Sequence, residues 1–344
     1  NQKHVIFHLI LPGMGSWKPA EESGGASSSA AMPPTAVRPD AAIPVVDLSH
    51  PDAKAHLVRA CEELGFFKLA GHAVPAPLIS HLEARAMEFF SLPLSQKLKA
   101  GPRGTLGYGN RSIGSNGDEG WVEYLLLNNT QSGGVGETPG AEFRSCVGEY
   151  VRAVREMACE VVEAMAEGLD ILPRDAFSKL LKDEQSDWVF RVNHYPPCPP
   201  EALPPPPGGL IGFGEHTDPQ LISLLRSNNS SGLQILLRDG RWISVPPDGE
   251  SFFVNVGDSL QVMTNGRFQS VRHRVVANGE KSRVSMIYFG GPPPWERIGP
   301  LPCLVRGEEE RRYKEITWLE YKTFLTTSRL ADDKLLRFQN TPPP

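Results

Sequence analysis

The sequence contains no apolar run that approaches the roughly 18 consecutive residues needed for a membrane-spanning helix, so such a helix is excluded. It also lacks a cluster of Lys and Arg. The 35 basic residues are outnumbered by 40 acidic ones, which gives a net charge of −5. A protein that binds nucleic acid or an anionic membrane surface needs a basic patch. We therefore expect neither nucleic acid nor a membrane as a partner.

Cysteine is scarce and widely spaced. The five cysteines are Cys61, Cys146, Cys159, Cys198 and Cys303. Their number is odd, there is no CxxC pair, and no two are close enough to begin a zinc finger. This pattern is typical of reduced thiols rather than of a disulfide framework, so we expect a cytoplasmic protein.

Large apolar residues are rare between residues 15 and 41, which are rich in Ala, Ser, Gly and Pro. Such a segment buries too little surface to offset the entropy lost on ordering. We expect residues 1–42 to be a disordered tail. If Met14 is the natural start, residues 1–13 are an upstream extension.

The rest of the chain divides by its hydrophobic periodicity into three regions. Residues 43–187 are mainly helical in pattern: Ser49 is a candidate N-cap for a first helix, and the longest helix is expected at about 148–169. In residues 188–300, short strand-like runs are separated by turn residues. Those runs are 188–195, 221–226, 233–237, 242–245, 252–256, 268–276 and 283–289. Residues 301–344 contain a closing helix and a tail. This predicts a mostly β protein with flanking helices and a sandwich or barrel core.

His216, Asp218 and His273 are the strongest candidates for a functional site. Side chains two apart on a strand point to the same side, so His216 and Asp218 can reach one metal ion. The long stretch before His273 leaves room for several strands to loop out and return. Two histidines and one carboxylate on one face of an octahedral ion leave three positions open, as in non-haem Fe(II) oxygenases. The simpler alternative is that each histidine is an ordinary, satisfied core residue.

Arg283 and Ser285 lie on the next expected strand and share one face of it. Their apolar neighbours indicate a buried strand, where an unpaired charge would be costly. A guanidinium offers a planar fork that matches a carboxylate, and a hydroxyl adds one donor. This predicts a site for a dicarboxylic co-substrate, whereas the simpler alternative is a surface arginine in a strand.

Asn193 and Tyr195 form a third element, since they also share a strand face and could hydrogen-bond a carboxylate near the metal. The two prolines that follow end this strand. Cys198 is expected to be non-catalytic, because thiolate is a softer ligand than this site favours.

Taken together, these motifs resemble the plant 2-oxoglutarate-dependent dioxygenases over about residues 43–330. Four longer runs look like the gibberellin 2-oxidases, and they are more specific than the metal motif. They lie at residues 107–110, 116–118, 120–126 and 259–266. Glu119 departs from the pattern, because similar enzymes usually carry an apolar residue there. The resemblance implies a double-stranded β-helix, a cupin-like jelly-roll variant, with the metal near one end of the barrel.

The resemblance also implies cofactors and a reaction. The Fe(II) ligands would be His216, Asp218 and His273. The residues that bind 2-oxoglutarate would be Asn193, Tyr195, Arg283 and Ser285. With dioxygen, and with ascorbate as reductant, such an enzyme hydroxylates a gibberellin at the 2-beta position and inactivates the hormone. C19 gibberellins are the expected substrates, and the preference between C19 and C20 forms stays open.

A gibberellin carries a carboxylate on a rigid apolar skeleton, so its pocket should be apolar with a few polar anchors. Candidates for the pocket wall are Tyr108, Trp121 and Tyr124, and candidates for the carboxylate are Arg103 and Arg111. Alternatively, the aromatic residues are ordinary core and the arginines are solvated.

Other functions stay open on the sequence alone. The same chemistry could act on another plant acid, such as a jasmonate, or on a flavonoid. A non-catalytic hormone-binding protein could keep the same barrel, although it would have no need of a redox metal site. A zinc hydrolase is disfavoured by the oxygen-rich ligand set. A homo-oligomer is possible, but no pattern requires one.

Overall fold

The computed structural model describes residues 43–101, 106–113, 116–128, 140–199, 209–307 and 310–340. The tail predicted at 1–42 lies outside the described residues. Among those that are described, no helix is both long and apolar enough to cross a membrane.

Fourteen strands and seven α-helices make up the described chain. The strands are β1 (Val45–Asp47), β2 (Phe66–Ala70), β3 (Gly107–Ser112), β4 (Glu119–Asn128), β5 (Val189–Tyr195), β6 (Ile211–His216), β7 (Ile222–Ser227), β8 (Leu233–Leu236), β9 (Trp242–Ser244), β10 (Phe252–Val256), β11 (His273–Val276), β12 (Arg283–Gly290), β13 (Arg297–Ile298) and β14 (Ile316–Thr317). The helices are α1 (Ala53–Glu63), α2 (Ala76–Phe90), α3 (Leu94–Lys97), α4 (Ala141–Gly168), α5 (Ser178–Lys182), α6 (Asp258–Met263) and α7 (Trp318–Leu325). This confirms a mostly β protein with flanking helices.

Two sheets build the core. The larger has the strand order β1-β2-β10-β7-β12-β5-β4-β3, and the smaller has the order β6-β11-β8-β9. The region 43–187 supplies four of the strands, two at each edge of the larger sheet, in addition to helices α1–α5. The predicted division at residue 188 is therefore not a break in the sheet.

The larger sheet is apolar on both faces because its side chains alternate between two cores. In β10, Phe252 and Val254 pack with the helices, whereas Phe253 between them packs toward the smaller sheet. In β12, Met286 and Ile287 divide in the same way. A side chain on the second face is thus enclosed between two sheets, and this space contains the candidate site.

Helix α4 covers the outer face of the larger sheet and contacts α1 and α2. It begins at Ala141 rather than near 148, because its buried stripe extends back to Phe143 and Cys146. Helix α1 begins at Ala53, so the N-cap predicted at Ser49 is wrong. The Ser49 hydroxyl donates to Asp47 Oδ1 at 2.7 Å instead.

The strand predicted at 268–276 is confirmed only from His273 onward. The residues before it belong to a turn, in which Phe268 N donates to Thr264 Oγ1 at 3.1 Å. This turn follows helix α6, which the sequence analysis did not predict.

A cluster of buried charged and polar side chains links β3 and β4, at one edge of the larger sheet, to the next strand, β5. Glu123 of β4 accepts hydrogen bonds from Lys97 Nζ at 2.6 Å, Tyr108 Oη at 2.7 Å and His194 Nδ1 at 2.8 Å. Burial by itself would raise the pKa of Glu123, but the bonds from His194, Lys97 and Tyr108 outweigh it and hold the pKa below its usual value. The ionised carboxylate is therefore part of the folded structure.

We predict that Glu123→Gln lowers the free energy of unfolding at pH 7 by about 3 kcal/mol, because it leaves the Lys97 ammonium buried without its counter-ion. Denaturant unfolding followed by circular dichroism measures this. The control is Glu119→Gln on the exposed start of the same strand, which should change stability by less than about 0.5 kcal/mol.

The pH dependence follows from the lowered pKa of Glu123. The stabilisation is fully present above the unfolded-state pKa, near 4.5, and is lost as the pH falls through the folded-state value. The difference in free energy of unfolding between the unmodified protein and Glu123→Gln should become smaller as the pH falls. A difference that stays constant down to the acid unfolding transition would contradict stabilisation by the ionised Glu123.

Candidate active site

His216, Asp218 and His273 come together at one end of the smaller sheet. His216 is the last residue of β6, His273 is the first of β11, and the two pair directly in the antiparallel ladder. Their ring centroids are 4.2 Å apart. One ligand atom from each of the three residues lies within 4.8 Å of the other two. This arrangement could hold a single metal ion.

The backbone fixes the tautomer of both histidines. Nδ1 of His216 lies 2.8 Å from the carbonyl oxygen of Gly214, and Nδ1 of His273 lies 3.2 Å from that of Val271. A carbonyl oxygen only accepts, so each Nδ1 carries a proton, and in the neutral ring it is Nε2 that presents a lone pair. Burial, reinforced by the nearby His273, lowers the pKa of His216 to about 3, so that imidazole is neutral at pH 7. The neutral ring is the form that binds metal.

A neighbouring amide orients Asp218. Nδ2 of Asn255, in β10, donates to Oδ2 of Asp218 at 2.9 Å. The other oxygen, Oδ1, lies 3.6 Å from Nε2 of His216 and 3.7 Å from Nε2 of His273. One carboxylate oxygen is thus held in place while the other points to where the two Nε2 atoms converge. Such outer partners set the geometry of metal ligands, and the sequence analysis did not identify Asn255.

The four predicted co-substrate residues lie side by side on β5 and β12. Tyr195 pairs with Arg283, and Asn193 pairs with Ser285. Asn193 Nδ2 donates to Tyr195 Oη at 3.0 Å, and the guanidinium carbon of Arg283 lies 5.5 Å from the centre of the Tyr195 ring. All four side chains are buried.

Arg283 is buried with unused hydrogen-bond donors. It is 2% exposed, and its Nε and Nη1 have no hydrogen-bond partner in the described part of the chain. The Ser285 hydroxyl, beside the Tyr195 phenol, also makes no hydrogen bond of regular geometry. Burial lowers the pKa of Arg283, yet a guanidinium stays protonated in proteins. An enclosed cation with free donors is costly unless an anion lies against it. The site therefore fits a carboxylate.

A cavity of about 280 Å³ is lined both by the three candidate metal ligands and by residues next to Arg283, although Arg283 itself is not part of the lining. Its polar lining includes Asn193, Tyr195 and Ser285 in addition to the three candidate metal ligands. The rest of the lining is mostly apolar and includes Leu126, Val189, Phe213, Ile287 and Phe289. The cavity thus has a polar part and an apolar part, and the two need ligands of different character.

The aromatic residues predicted for the substrate wall are not among the described residues that line this cavity. Tyr108 packs on the helix side of the larger sheet, because its hydroxyl donates to buried Glu123. Trp121 Nε1 donates to the carbonyl oxygen of Pro196 at 3.1 Å. Tyr124 comes nearest, since its ring lies against the guanidinium of a cavity residue.

Of the two predicted carboxylate anchors, only Arg111 is among the described residues. Arg111 is exposed and lies 4.9 Å from the centre of the Trp121 ring, away from the cavity lining. Arg103 lies outside the described residues. The arginine that does line the cavity is Arg191, which the sequence analysis missed. Its signal was present, because two-residue alternation places it on the same strand face as Asn193 and Tyr195.

The protein has two packed sheets, a cluster of two histidines and one aspartate, and a buried site that fits a carboxylate ligand. These features define a jelly-roll oxygenase of the non-haem type. Residues 186–292 match the 2OG-Fe(II) oxygenase superfamily, and residues 43–137 match the family described as non-haem dioxygenase in morphine synthesis N-terminal. The chain belongs to the 2OG-Fe(II) oxygenase superfamily, and its cofactors are Fe(II) and 2-oxoglutarate.

Solved structures share this fold. The crystal structure of JOX2 in complex with 2OG, Fe and JA has a TM-score of 0.75 and 28% sequence identity, and the likeness covers 90% of this chain and 92% of that one. The dioxygenase for auxin oxidation in rice has a TM-score of 0.72 and 26% identity, with 87% of this chain and 100% of that chain covered.

More similar relatives carry one name. Gibberellin 2-beta-dioxygenase 1 of Pisum sativum is 59% identical over 300 residues, which is 86% of this chain and 90% of the relative. Gibberellin 2-beta-dioxygenase of Phaseolus coccineus is 56% identical over 306 residues, or 87% and 91%. Gibberellin 2-beta-dioxygenase 1 of Arabidopsis thaliana is 55% identical over 305 residues, or 86% and 92%.

We predict that Asn255→Ala lowers Fe(II) affinity about 10- to 100-fold, the usual effect of removing a hydrogen bond to a metal ligand. Without its amide partner, Asp218 is free to rotate away from the two Nε2 atoms. Competition with a coloured chelator measures the affinity. As a matched control, Asn278→Ala removes an amide that bonds the exposed Ser231 hydroxyl and should leave metal affinity unchanged. Equal affinities of both variants would contradict the role of Asn255.

Proposed function

We propose that this chain is a gibberellin 2-beta-dioxygenase, which hydroxylates gibberellins at the 2-beta position with dioxygen and 2-oxoglutarate and so inactivates the hormone. The observation that carries this assignment is the 55–59% identity, over most of both chains, to relatives of that name. The built metal and carboxylate sites support the chemistry. The reaction inserts one oxygen atom into a C–H bond, and the other oxygen enters succinate as carbon dioxide leaves.

We assign Fe(II) to His216, Asp218 and His273. This assignment is supported by the backbone carbonyls that bind Nδ1 of both histidines, and by the amide of Asn255 that orients the Asp218 carboxylate. When bound, the ion together with 2-oxoglutarate and dioxygen supplies the oxidation of the substrate C–H bond. His216, Asp218 and His273 would hold the ion with three of its positions and would leave the others for ligands.

We assign the carboxylate of 2-oxoglutarate farthest from the metal to Arg283 and Ser285. The free guanidinium donors support this, and Asn193 and Tyr195 would hold the rest of the molecule. In this enclosed space, hydrogen bonds to a charged group are stronger than in water. The protein's contribution is to orient both molecules and to keep water away, so that oxidation falls on one chosen C–H bond.

We also propose a cytoplasmic location. All five cysteines are free, and four of them are buried, which supports a reducing environment. C19 gibberellins are the proposed substrates, with C20 forms as the comparison. A homo-oligomer stays a prediction.

The proposal is tested with a panel of C19 and C20 gibberellins, one jasmonate and one flavonoid, each incubated with Fe(II), 2-oxoglutarate and ascorbate. Mass spectrometry should find one added oxygen on a gibberellin, with an equal amount of succinate. Asp218→Ala should abolish both products, because it removes a metal ligand. Oxidation of the jasmonate or flavonoid without oxidation of any gibberellin would sink the assignment while leaving the chemistry intact.

We predict that Arg283→Gln raises the KM for 2-oxoglutarate about 10- to 100-fold, because it removes a charge-assisted hydrogen bond to a carboxylate. The rise in Tm that 2-oxoglutarate causes in the unmodified metal-loaded protein should also be lost. Arg274→Gln is the control, since the guanidinium carbon of this arginine lies 4.1 Å from the centre of the Trp242 ring and its Nε donates to Gln234, away from Tyr195 and Ser285. A normal KM in Arg283→Gln would refute the assigned carboxylate site.

A further inference from the structure

The assigned roles leave one enclosed cation unexplained. Arg191, on β5, is 8% exposed and lines the cavity beside the apolar residues. Its Nη2 has no hydrogen-bond partner within the described chain. Burial of an unpaired guanidinium is costly. A second anion, distinct from the one that Arg283 binds, would offset this cost.

The guanidinium of Arg191 is held rigidly. Its Nε donates to Asn193 Oδ1 at 2.7 Å. Its carbon lies 3.8 Å from the centre of the Tyr124 ring and 5.0 Å from that of Phe213. Tyr124 in turn lies against Gly109 of β3, where an added Cβ would fall 2.3 Å from the phenol ring. The Nη2 donor therefore has a fixed direction, which lowers the entropic cost of binding an anion.

The position of Arg191 argues against a contact with the far carboxylate of 2-oxoglutarate. Arg191 pairs with Ile287, whereas Tyr195 pairs with Arg283. Four residues separate the two positions along β5, which is roughly 13 Å at the rise of a strand. In the assigned orientation, 2-oxoglutarate extends from the metal ligands to Arg283. Its far carboxylate then lies near the Tyr195 end of β5, away from Arg191.

The charges of the site also leave room for one more anion. Fe(II) and the 2-oxoglutarate dianion cancel each other. Asp218 then offsets one of the two guanidiniums, and the buried residues Lys334 and Asp258 do not line the cavity. One positive charge remains among these groups, and a monocarboxylic acid would neutralise it.

We propose that Arg191 binds the carboxylate of the organic substrate and thereby sets which face of the apolar skeleton lies against the metal. This inference rests on the proposed function, since a gibberellin supplies the acid. The neighbouring Leu126, Val189 and Ile287 provide the apolar wall on which the skeleton packs. The two carboxylic acids that enter the site are thus sorted by two arginines at opposite ends of one strand pair.

The experiment measures binding of one gibberellin and of its methyl ester to the anaerobic holoenzyme with Fe(II) and 2-oxoglutarate, by calorimetry. The unmodified protein should bind the acid about 10- to 100-fold more tightly than the ester, because the ester cannot form a charge-assisted hydrogen bond. In Arg191→Met the acid should bind as weakly as the ester. In Arg191→Lys the acid should regain part of its affinity, since the charge returns without the planar fork.

Two controls separate this role from its rivals. Arg111→Gln removes the exposed arginine on the neighbouring edge strand and should keep the full difference between acid and ester. Arg283→Gln should weaken 2-oxoglutarate and keep the ratio of acid to ester affinity. Thermal unfolding of each variant checks that the fold is intact, and the comparison of acid with ester in the unmodified protein needs no variant.

Equal binding of acid and ester by the unmodified protein, with normal gibberellin turnover, would overturn the role of Arg191 and leave the proposed function standing. The same conclusion would follow if Arg191→Met bound 2-oxoglutarate more weakly but still bound the acid more tightly than the ester. Absence of binding and turnover for any gibberellin would instead overturn the proposed function, and the inference that rests on it.

Discussion

The burial of positive charge between two sheets is the constraint on which the rest of the site depends. Arg191 and Arg283 lie on the inner face of the larger sheet, and each retains a donor without a partner. In an apolar interior, such groups are stabilised only by anions placed in the correct geometry. The folded protein therefore holds the positive charges that its anionic ligands need before those ligands bind. Part of the binding free energy of the ligands offsets the free energy cost of burying the two guanidiniums.

The larger sheet makes this burial possible because both of its faces are covered. Helix α4 and its neighbours cover one face, and the smaller sheet covers the other. Close approach of the two sheets depends on a missing side chain at Gly212 of β6, where a Cβ would lie 2.7 Å from the Tyr195 ring. Tyr195 can then lie between the sheets, next to Arg283. The strands that the first half of the chain adds at both edges extend this cover, and Tyr124, packed on Gly109, reaches Arg191.

Strand alternation accounts for what the sequence could predict. Arg283 with Ser285 on β12 and Asn193 with Tyr195 on β5 are pairs two residues apart that share one strand face. Asp218 lies beyond the end of β6, so its approach to His216 depends on the segment after the strand and not on alternation. Arg191 obeys the same alternation, but a single arginine in a strand is usually at the surface, and its burial depends on Tyr124 and Phe213 from other strands. Tyr108 does not line the described cavity, for a related reason. Its partner Glu123 lies on the adjacent strand, and the register that joins them cannot be read from either segment alone. Residues 259–266 resembled the family, yet the helix there depends on packing that strand patterns do not show.

The C-terminal helix has a part in the site that its sequence does not suggest. Tyr321 of α7 donates to Asp258 Oδ2 at 2.6 Å, and Thr217, between two of the metal ligands, donates to the same oxygen at 3.1 Å. The backbone N–H of Asp258 donates to the carbonyl oxygen of Asp218 at 2.7 Å. Residues 216–218 are thus held by hydrogen bonds to Asp258 of α6, which α7 supports in turn, and by the bond from Asn255 to Asp218. The metal needs its three donors within a few tenths of an ångström of one arrangement. Helices far apart in sequence therefore act as one support for ligands that come from the ends of two strands, β6 and β11, and from the segment after β6.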